Sequence, residues 1–322
     1  MLENKTKINE VFANDVLQGL SANPKFLSSR YFYDERGDAL FQEIMRMPEY
    51  YLTRCEYEIL QDKKETILRI FSKDGLPFRL IEFGAGDGTK TKLLLKHFLE
   101  KKARFRYLPI DISENVLNLL KDELNNRFPE LEVDPLQGEY FKALGALNTE
   151  ENARKIVLFL GSNIGNFRPS DADKFLKEMA SNLNSGDLLF IGFDLKKDPA
   201  IILDAYNDKA GITKAFNLNL LTRINNELGA NFNIAAFQHF PTYDPQSGEM
   251  KSYLISTAQQ EVYVEALERR FSFEAWESVH TEVSQKYDLH QIAAMASRAG
   301  FKPVENLFDK QGYYVDSVWE VL

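Results

Sequence analysis

Short apolar runs alternate with longer amphipathic ones between residues 79 and 194. Arg79 to Phe83, Phe105 to Ile110, Lys155 to Leu160 and Leu188 to Asp194 are compact and apolar, as strands covered on both faces must be. Lys90 to Leu99, Ser113 to Asn126 and Pro169 to about Leu183 read as helices. Pro169-Ser170-Asp171, with Asp173 following, is a helix start. A further strand is expected over Glu132 to Tyr140. Strands alternating with helices predict an α/β fold with a parallel, doubly wound sheet.

The pattern returns at the carboxyl end. Asp288 to Ala299 reads as a helix stopped by Gly300, and Phe301 to Leu307 and Tyr313 to Val321 as two strands joined at Asp309 to Gly312. About 195 to 286 interrupts it, with a helix-like stretch over Asp198 to Leu228 and alternating segments at Met250 to Thr257 and Gln260 to Leu267. An insertion after a strand's carboxyl end is well sited to cover a ligand there, and the first 60 residues are expected to join it. No repeat or low-complexity segment is present.

Composition narrows the class of protein. A chain of 322 residues with 44% hydrophobic positions can bury a sizeable core. No apolar run approaches the roughly 18 residues of a membrane span, and Met1 to Lys7 is polar, without a signal segment. Cys55 is the one cysteine, so an intramolecular disulfide is impossible and a cytoplasmic address is the default. A net charge of −9 without a basic block argues against nucleic acid as substrate. His97, His239, His280 and His290 form no ligand-spaced metal motif; His97 reads as a surface or boundary residue. A monomer is the default.

Candidate chemistry begins at Leu80-Ile-Glu-Phe-Gly84-Ala-Gly86-Asp-Gly88-Thr-Lys90, where an apolar run with an acidic residue opens into alternate glycines. Such a turn lets a ligand lie against bare backbone. A dinucleotide loop needs a third glycine at 89, which is Thr89. The pattern Glu82-x-Gly84-x-Gly86-x-Gly88 is the form usual for S-adenosylmethionine; a tight turn without a ligand is the plain alternative. Asp111 closes the next strand, where a carboxylate can accept both ribose hydroxyls or simply cap a helix. Gly138-Glu139-Tyr140 is expected at the third strand end, flanking an adenine. Ligands of open α/β sheets bind at this carboxyl edge.

Further short motifs are Tyr31-Phe-Tyr33-Asp-Glu-Arg-Gly37, Pro48-Glu-Tyr50-Tyr-Leu-Thr-Arg54, Gly161-Ser-Asn-Ile-Gly-Asn166, Ala205-Tyr206-Asn-Asp208, Ala215-Phe-Asn217 and Thr281-Glu282-Val-Ser284-Gln-Lys286. In order and spacing they resemble the histidine N-alpha-methyltransferases of ergothioneine biosynthesis. The resemblance spans nearly the whole chain. It implies a class I methyltransferase (Rossmann-like) seven-stranded sheet, closed by the terminal antiparallel hairpin, with a substrate-capping second domain. The core would be 60–196 plus 286–322 and the cap 1–59 plus 197–285, hinging near Leu195-Lys196 and Lys286.

By resemblance, the cofactor S-adenosyl-L-methionine is held by Tyr33, Gly84, Gly86, Lys90, Asp111, Glu139 and Tyr140. The family more often has Asp-Phe where this chain has Glu139-Tyr140, and proline where it has Leu52. The substrate L-histidine is held by Tyr50, Asn166, Tyr206, Met250, Glu282 and Ser284. Asn166 and Tyr206 take the amino and carboxylate groups, Glu282 and Ser284 the imidazole, with Tyr50 in support and Met250 lining the side-chain pocket; Tyr33, Asn166 and Tyr206 are the catalytic candidates. A carboxylate can take an imidazole N–H, and a hydroxyl can donate or accept. The plain alternatives are a helix cap for Ser284, a solvated charge for Glu282, core packing for Tyr206 and a turn residue for Asn166. The implied reaction is three successive methyl transfers giving N,N,N-trimethylhistidine (hercynine). An enzyme acting on tryptophan or an indole amino acid, and a non-catalytic sensor, are the alternatives.

Overall fold

The computed structural model describes residues 2–111, 114–147 and 153–322. Ser113, the expected start of the second helix, lies outside them. The chain divides into two compact units, one formed by residues up to Tyr51 with Lys197–Ser284, the other by Leu52–Lys196 with Gln285–Leu322. The first step falls between residues 51 and 52, inside a continuous helix, rather than at the expected 59/60. No change of composition marks it.

Two helices, α1 (Leu2–Ser21) and α2 (Glu35–Arg46), precede the helix at the division, α3 (Tyr51–Phe71). β1 (Phe78–Phe83) follows, buried along its whole length, and then α4 (Thr91–Glu100), β2 (Phe105–Asp111) and α5 (Glu114–Arg127). The expected third strand shrinks to β3 (Leu136–Gln137), and Tyr140 instead opens α6 (Tyr140–Ala146). Pro135 lacks the N–H that a ladder needs, and Gly138 turns the chain at φ +151°. β4 (Arg154–Phe159), α7 (Pro169–Ser181) and β5 (Leu188–Asp194) lie within a residue or two of expectation.

In the smaller unit, the single helix expected over Asp198 to Leu228 is two, α8 (Pro199–Tyr206) and α9 (Ile212–Leu228). Gly211 breaks it at φ +77°, and the Asp208 carboxylate accepts the amides of Ile212 and Thr213, both at 2.8 Å, which starts the second helix. Strands β6 (Phe237–Asp244) and β7 (Glu249–Ser256) pair antiparallel. β8 (Gln260–Val264) and β9 (Arg269–Phe273) form a separate ribbon, and β10 (Ser278–Gln285) joins β7 in a three-stranded sheet. Burial alternates along β7, as one covered face requires. Phe12, Phe32, Phe216, Leu220, Leu254 and Phe273 belong to this unit's core.

The chain then returns to the first sheet through α10 (Leu289–Ala299), β11 (Phe301–Phe308) and β12 (Tyr314–Val321). The sheet has seven strands in the order β11-β12-β5-β4-β1-β2-β3. β1 pairs parallel with β2 and β4, and β4 with β5, whereas β12 is antiparallel to both β5 and β11. This is the seven-stranded α/β sheet that the resemblance implies, with its hairpin last. Ile81, Phe83, Val157, Ile191 and Trp319 lie in its core. The parallel strands end together at one edge, as parallel pairing requires.

Glu82 interrupts that core. Its carboxylate accepts the Thr91 hydroxyl at 2.7 Å and the Tyr107 hydroxyl. Burial pushes its pKa up, against those hydrogen bonds, from 4.5 to about 7. An acid whose pKa rises on folding contributes stability while protonated, and loses it as pH climbs from the unfolded value through the folded one. Glu82→Gln should therefore lose less stability than wild type between about pH 5 and about pH 8, by on the order of 3 kcal/mol in urea unfolding. Parallel pH profiles for the two proteins would contradict this.

Candidate functional site

The loop after β1 holds Gly84 at φ +67°, Gly86 at +53° and Gly88 at +62°, a left-handed path that side chains disfavour. A Cβ at Gly84 would lie 3.0 Å from the Tyr140 hydroxyl, whereas nothing lies within 4 Å of one at Gly86. Tyr140 stacks on Phe83, with centroids 4.5 Å apart and planes 11° from parallel. Burial, and then the Asp111 carboxylate, raise the Tyr140 pKa, so Gly84, Asp111 and Tyr140 are neighbours at the carboxyl edge. Glu139 pairs with Lys142 at 2.8 Å on the surface. Asp111 and the glycine backbone suit ribose hydroxyls and a close-lying nucleoside, and Lys90 suits a carboxylate, so these groups fit S-adenosylmethionine.

Lys90 sits where the loop enters α4 and pairs with Glu56 of α3. Glu56 is 1% exposed. Its Oε1 accepts the Gly161 amide at 2.7 Å and the Tyr314 hydroxyl at 2.8 Å. Burial works against the Lys90 ammonium, but the Glu56 carboxylate outweighs it and holds the pKa above its ordinary value.

After β4 the chain enters a 3₁₀ turn, Asn163–Asn166, through Ser162 at φ +54°. The Asp194 amide donates to the Ser162 hydroxyl at 3.0 Å. Gly165 lies against the Gln285 backbone, whose oxygen would be 2.9 Å from a Cβ there. Asp194 and Lys286, both fully buried, pair at 2.8 Å beside it. Asn166 is thus displayed, exposed, on a turn fixed from beneath.

The other expected groups belong to the smaller unit, Tyr33 included. The Tyr206 hydroxyl donates to the Ser284 hydroxyl at 2.9 Å, with both residues buried. Ser284 lies within β10 and does not cap α10, which Asp288 and Gln291 cap reciprocally. Glu282, two residues earlier, is half-buried rather than solvated and accepts the Ser252 hydroxyl at 3.3 Å. Met250 is 1% exposed.

Tyr33 is 46% exposed as a residue, yet the groups crowded around its hydroxyl govern its protonation. Burial, followed by Glu282, Asp38 and Tyr206, holds its pKa above the usual phenol range. Its ring lies 5.8 Å from Phe216 and 5.6 Å from Phe41, and Phe41 lies 6.4 Å from Tyr50. Tyr33, Tyr206, Glu282 and Ser284 are therefore gathered within one unit, with Tyr50 at the edge of the same aromatic group.

Ser252, Glu56 and Tyr314 do not stand out in the sequence. Ser252 lies two residues past Met250 on alternating β7, which places both on one face; Glu56 and Tyr314 carry no local signal. His97 is buried at 6% exposure, its Nε2 3.1 Å from Glu65, not at the surface. The cause is the inward face of α4, shared with Leu94 and Phe98. Burial pushes the His239 pKa down to about 4, and His280 packs edge-on to Tyr253. Among the described residues no His, Cys, Asp and Glu grouping suits a metal ion, and no helix is long and apolar enough to cross a membrane.

Comparison with known proteins shows the family. The chain is 35% identical over 303 residues to histidine N-alpha-methyltransferase of Mycolicibacterium smegmatis, covering 94% of this chain and 92% of that one. It is 32% identical to ergothioneine biosynthesis protein 1 of Schizosaccharomyces pombe, covering 86% of this chain and 36% of that longer one. A 4-dimethylallyltryptophan N-methyltransferase of Claviceps purpurea is 25% identical, over 67% of this chain and 64% of its own. The sequence profile of the family described as "Histidine-specific methyltransferase, SAM-dependent" matches residues 12–321. The chain belongs to the S-adenosylmethionine-dependent, histidine-specific methyltransferases.

Proposed function

We propose that this enzyme transfers three methyl groups to the α-amine of L-histidine, giving hercynine, a step towards ergothioneine. The observation that carries this reading is Glu282, a half-buried carboxylate steadied by Ser252 and two residues from the Tyr206–Ser284 hydrogen bond. An imidazole needs an acceptor for its N–H, and a second polar group for its other nitrogen. An indole has one N–H and no acceptor nitrogen, so the Glu282–Ser284 pair favours histidine over tryptophan.

The sheet unit serves as the cofactor-binding core and the smaller unit as the substrate cap. S-adenosylmethionine, when bound, supplies an electrophilic methyl group, so the protein's contribution is alignment more than activation. In the core, Asp111 takes the ribose hydroxyls, Tyr140 and Glu139 flank the adenine, and Lys90 holds the carboxylate, with Gly84 and Gly86 giving close backbone approach. In the cap, Met250 lines the imidazole pocket and Tyr50 supports it. Tyr206 holds the amino acid's backbone groups.

The acceptor nitrogen must lose a proton before each of three attacks. Tyr33 is not suited to take it as a phenolate, because burial and the Glu282 carboxylate keep its hydroxyl protonated. It acts as a neutral hydroxyl that orients the amine, and its ring and that of Phe216 accommodate a growing alkylammonium.

Glu282→Ala should raise KM for histidine by about 30- to 100-fold, the loss of a charge-assisted hydrogen bond, and leave S-adenosylhomocysteine affinity within about twofold. Equal weakening of both ligands would remove Glu282 from the imidazole site. Tyr33→Phe should lower kcat at least about tenfold while leaving the shape of the pH–rate profile intact. Loss of the acid-side limb, where the rate rises with pH, would make Tyr33 the base. Mass spectrometry after incubation with histidine and S-adenosylmethionine should show a gain of three methyl groups and matching S-adenosylhomocysteine; arrest at one or two would limit the reaction to partial methylation.

A further inference from the structure

Beneath the cofactor edge lies a buried acid to which the reaction assigns no part. Asp316 of β12 is fully buried, and neither carboxylate oxygen has a hydrogen-bond partner among the described residues. A Cβ at Gly192 of β5 would fall 2.4 Å from the Tyr314 hydroxyl, 2.5 Å from Glu56 Oε1 and 3.1 Å from Asp316 Oδ1. Polar ends from α3 and β12 therefore converge over one glycine, and only a residue without a side chain leaves them room. Lys90 brings positive charge to this point, by its pairing with Glu56 and its electrostatic attraction to Asp316.

One ammonium beside two buried carboxyls favours a single charged carboxylate. Glu56 is the partner Lys90 holds, and it also receives the Gly161 amide and the Tyr314 hydroxyl. Burial, and then Glu56, raise the pKa of Asp316 well above the carboxylate range, so Asp316 is the proton-bearing neighbour. The ion pair is thus fastened at its acidic end to three separate elements, namely α3, the turn after β4 and β12. Glu56 is too deeply buried to reach a ligand, whereas an ammonium has three donors and spends one on Glu56.

We propose that Glu56 is a positioning residue for the cofactor, acting through Lys90: it anchors a flexible ammonium beside the glycine loop so that the remaining donors face the cofactor's carboxylate. Tyr314 is the brace that holds Glu56. The proposal rests on the assignment of Lys90 to that carboxylate. Without the anchor, Lys90 is free to sample other rotamers or to turn towards Asp316.

The test is a double-mutant cycle on the full chain, with S-adenosylhomocysteine affinity read by titration calorimetry. Glu56→Gln keeps an acceptor for Gly161 and Tyr314 but removes the charge. It should weaken binding about tenfold or more, with KM for histidine within about twofold. In a Lys90→Met background the same change should have little further effect, because Glu56 acts only through Lys90. Additive losses, or no loss in Glu56→Gln while Lys90→Met binds poorly, would overturn the inference and leave the Lys90 assignment standing. Unchanged affinity in Lys90→Met would remove that assignment and the inference with it, without touching the histidine reading. If Glu56→Gln does not fold, Tyr314→Phe probes the same linkage. It should weaken binding less, and only while Lys90 is present; weakening that persists without Lys90 would overturn the proposal.

Discussion

The parallel pairing of β1 with β2 and β4 is the constraint on which the sheet unit's site depends. Parallel strands deliver their carboxyl ends to one edge, so the glycine loop after β1, Asp111 at the end of β2 and the Asn163–Asn166 turn after β4 come from distant parts of the sequence to one rim. Parallel pairing also demands cover on both faces. The apolar runs of β1 and β5 are buried along their whole lengths, which leaves only the strand ends for polar chemistry.

Beneath that rim the sheet unit buries several ionisable groups. Asp194 pairs with Lys286 and Glu56 with Lys90, while Glu82 and Asp316 are pushed towards their neutral forms. Buried ion pairs are weak sources of stability, since desolvation offsets much of the attraction. Their value here lies in placement. Asp194 also ties, by its amide, to Ser162 at the entrance of the turn that displays Asn166. Glu56 fastens the amide of Gly161 just before that turn and the ammonium of Lys90 after the glycine loop. One carboxylate thereby fixes two loops of the same edge.

The smaller unit works by different physics. Its strands are antiparallel, with one covered face, and β7 presents Met250 and Ser252 on the same side. The pairing of β7 with β10 brings Ser252 to Glu282, and α8 brings Tyr206 to Ser284. Burial and the Glu282 carboxylate keep the Tyr33 hydroxyl protonated, so the environment that packs these side chains also decides which of them can exchange protons.

The parts of this protein legible from sequence were those encoded over short stretches. The alternate glycines after an apolar run, the strand-helix alternation and the terminal hairpin each depend on neighbouring residues, so periodicity and turn chemistry reveal them. The third strand is shorter than expected because Pro135 interrupts the ladder between the Val133–Tyr107 bridge and Leu136 and Gly138 turns the chain away, and the helical stretch before Leu228 is split where Asp208 accepts the amides of Ile212 and Thr213 and Gly211 takes a left-handed φ. Glu56, Tyr314, Asp316 and Ser252 had no signature, since each looks like an ordinary polar residue in its own segment. Their partners lie as far as 258 positions away, and burial alone turns such separations into hydrogen bonds and shifted protonation. Local pattern was enough for the type of sheet, the glycine loop after β1 and the motifs of the family. Which carboxylate holds Lys90, which hydroxyl holds Glu282 and which acids keep their protons follow from the folded chain alone, because those are set by desolvation and by contacts that no local pattern records.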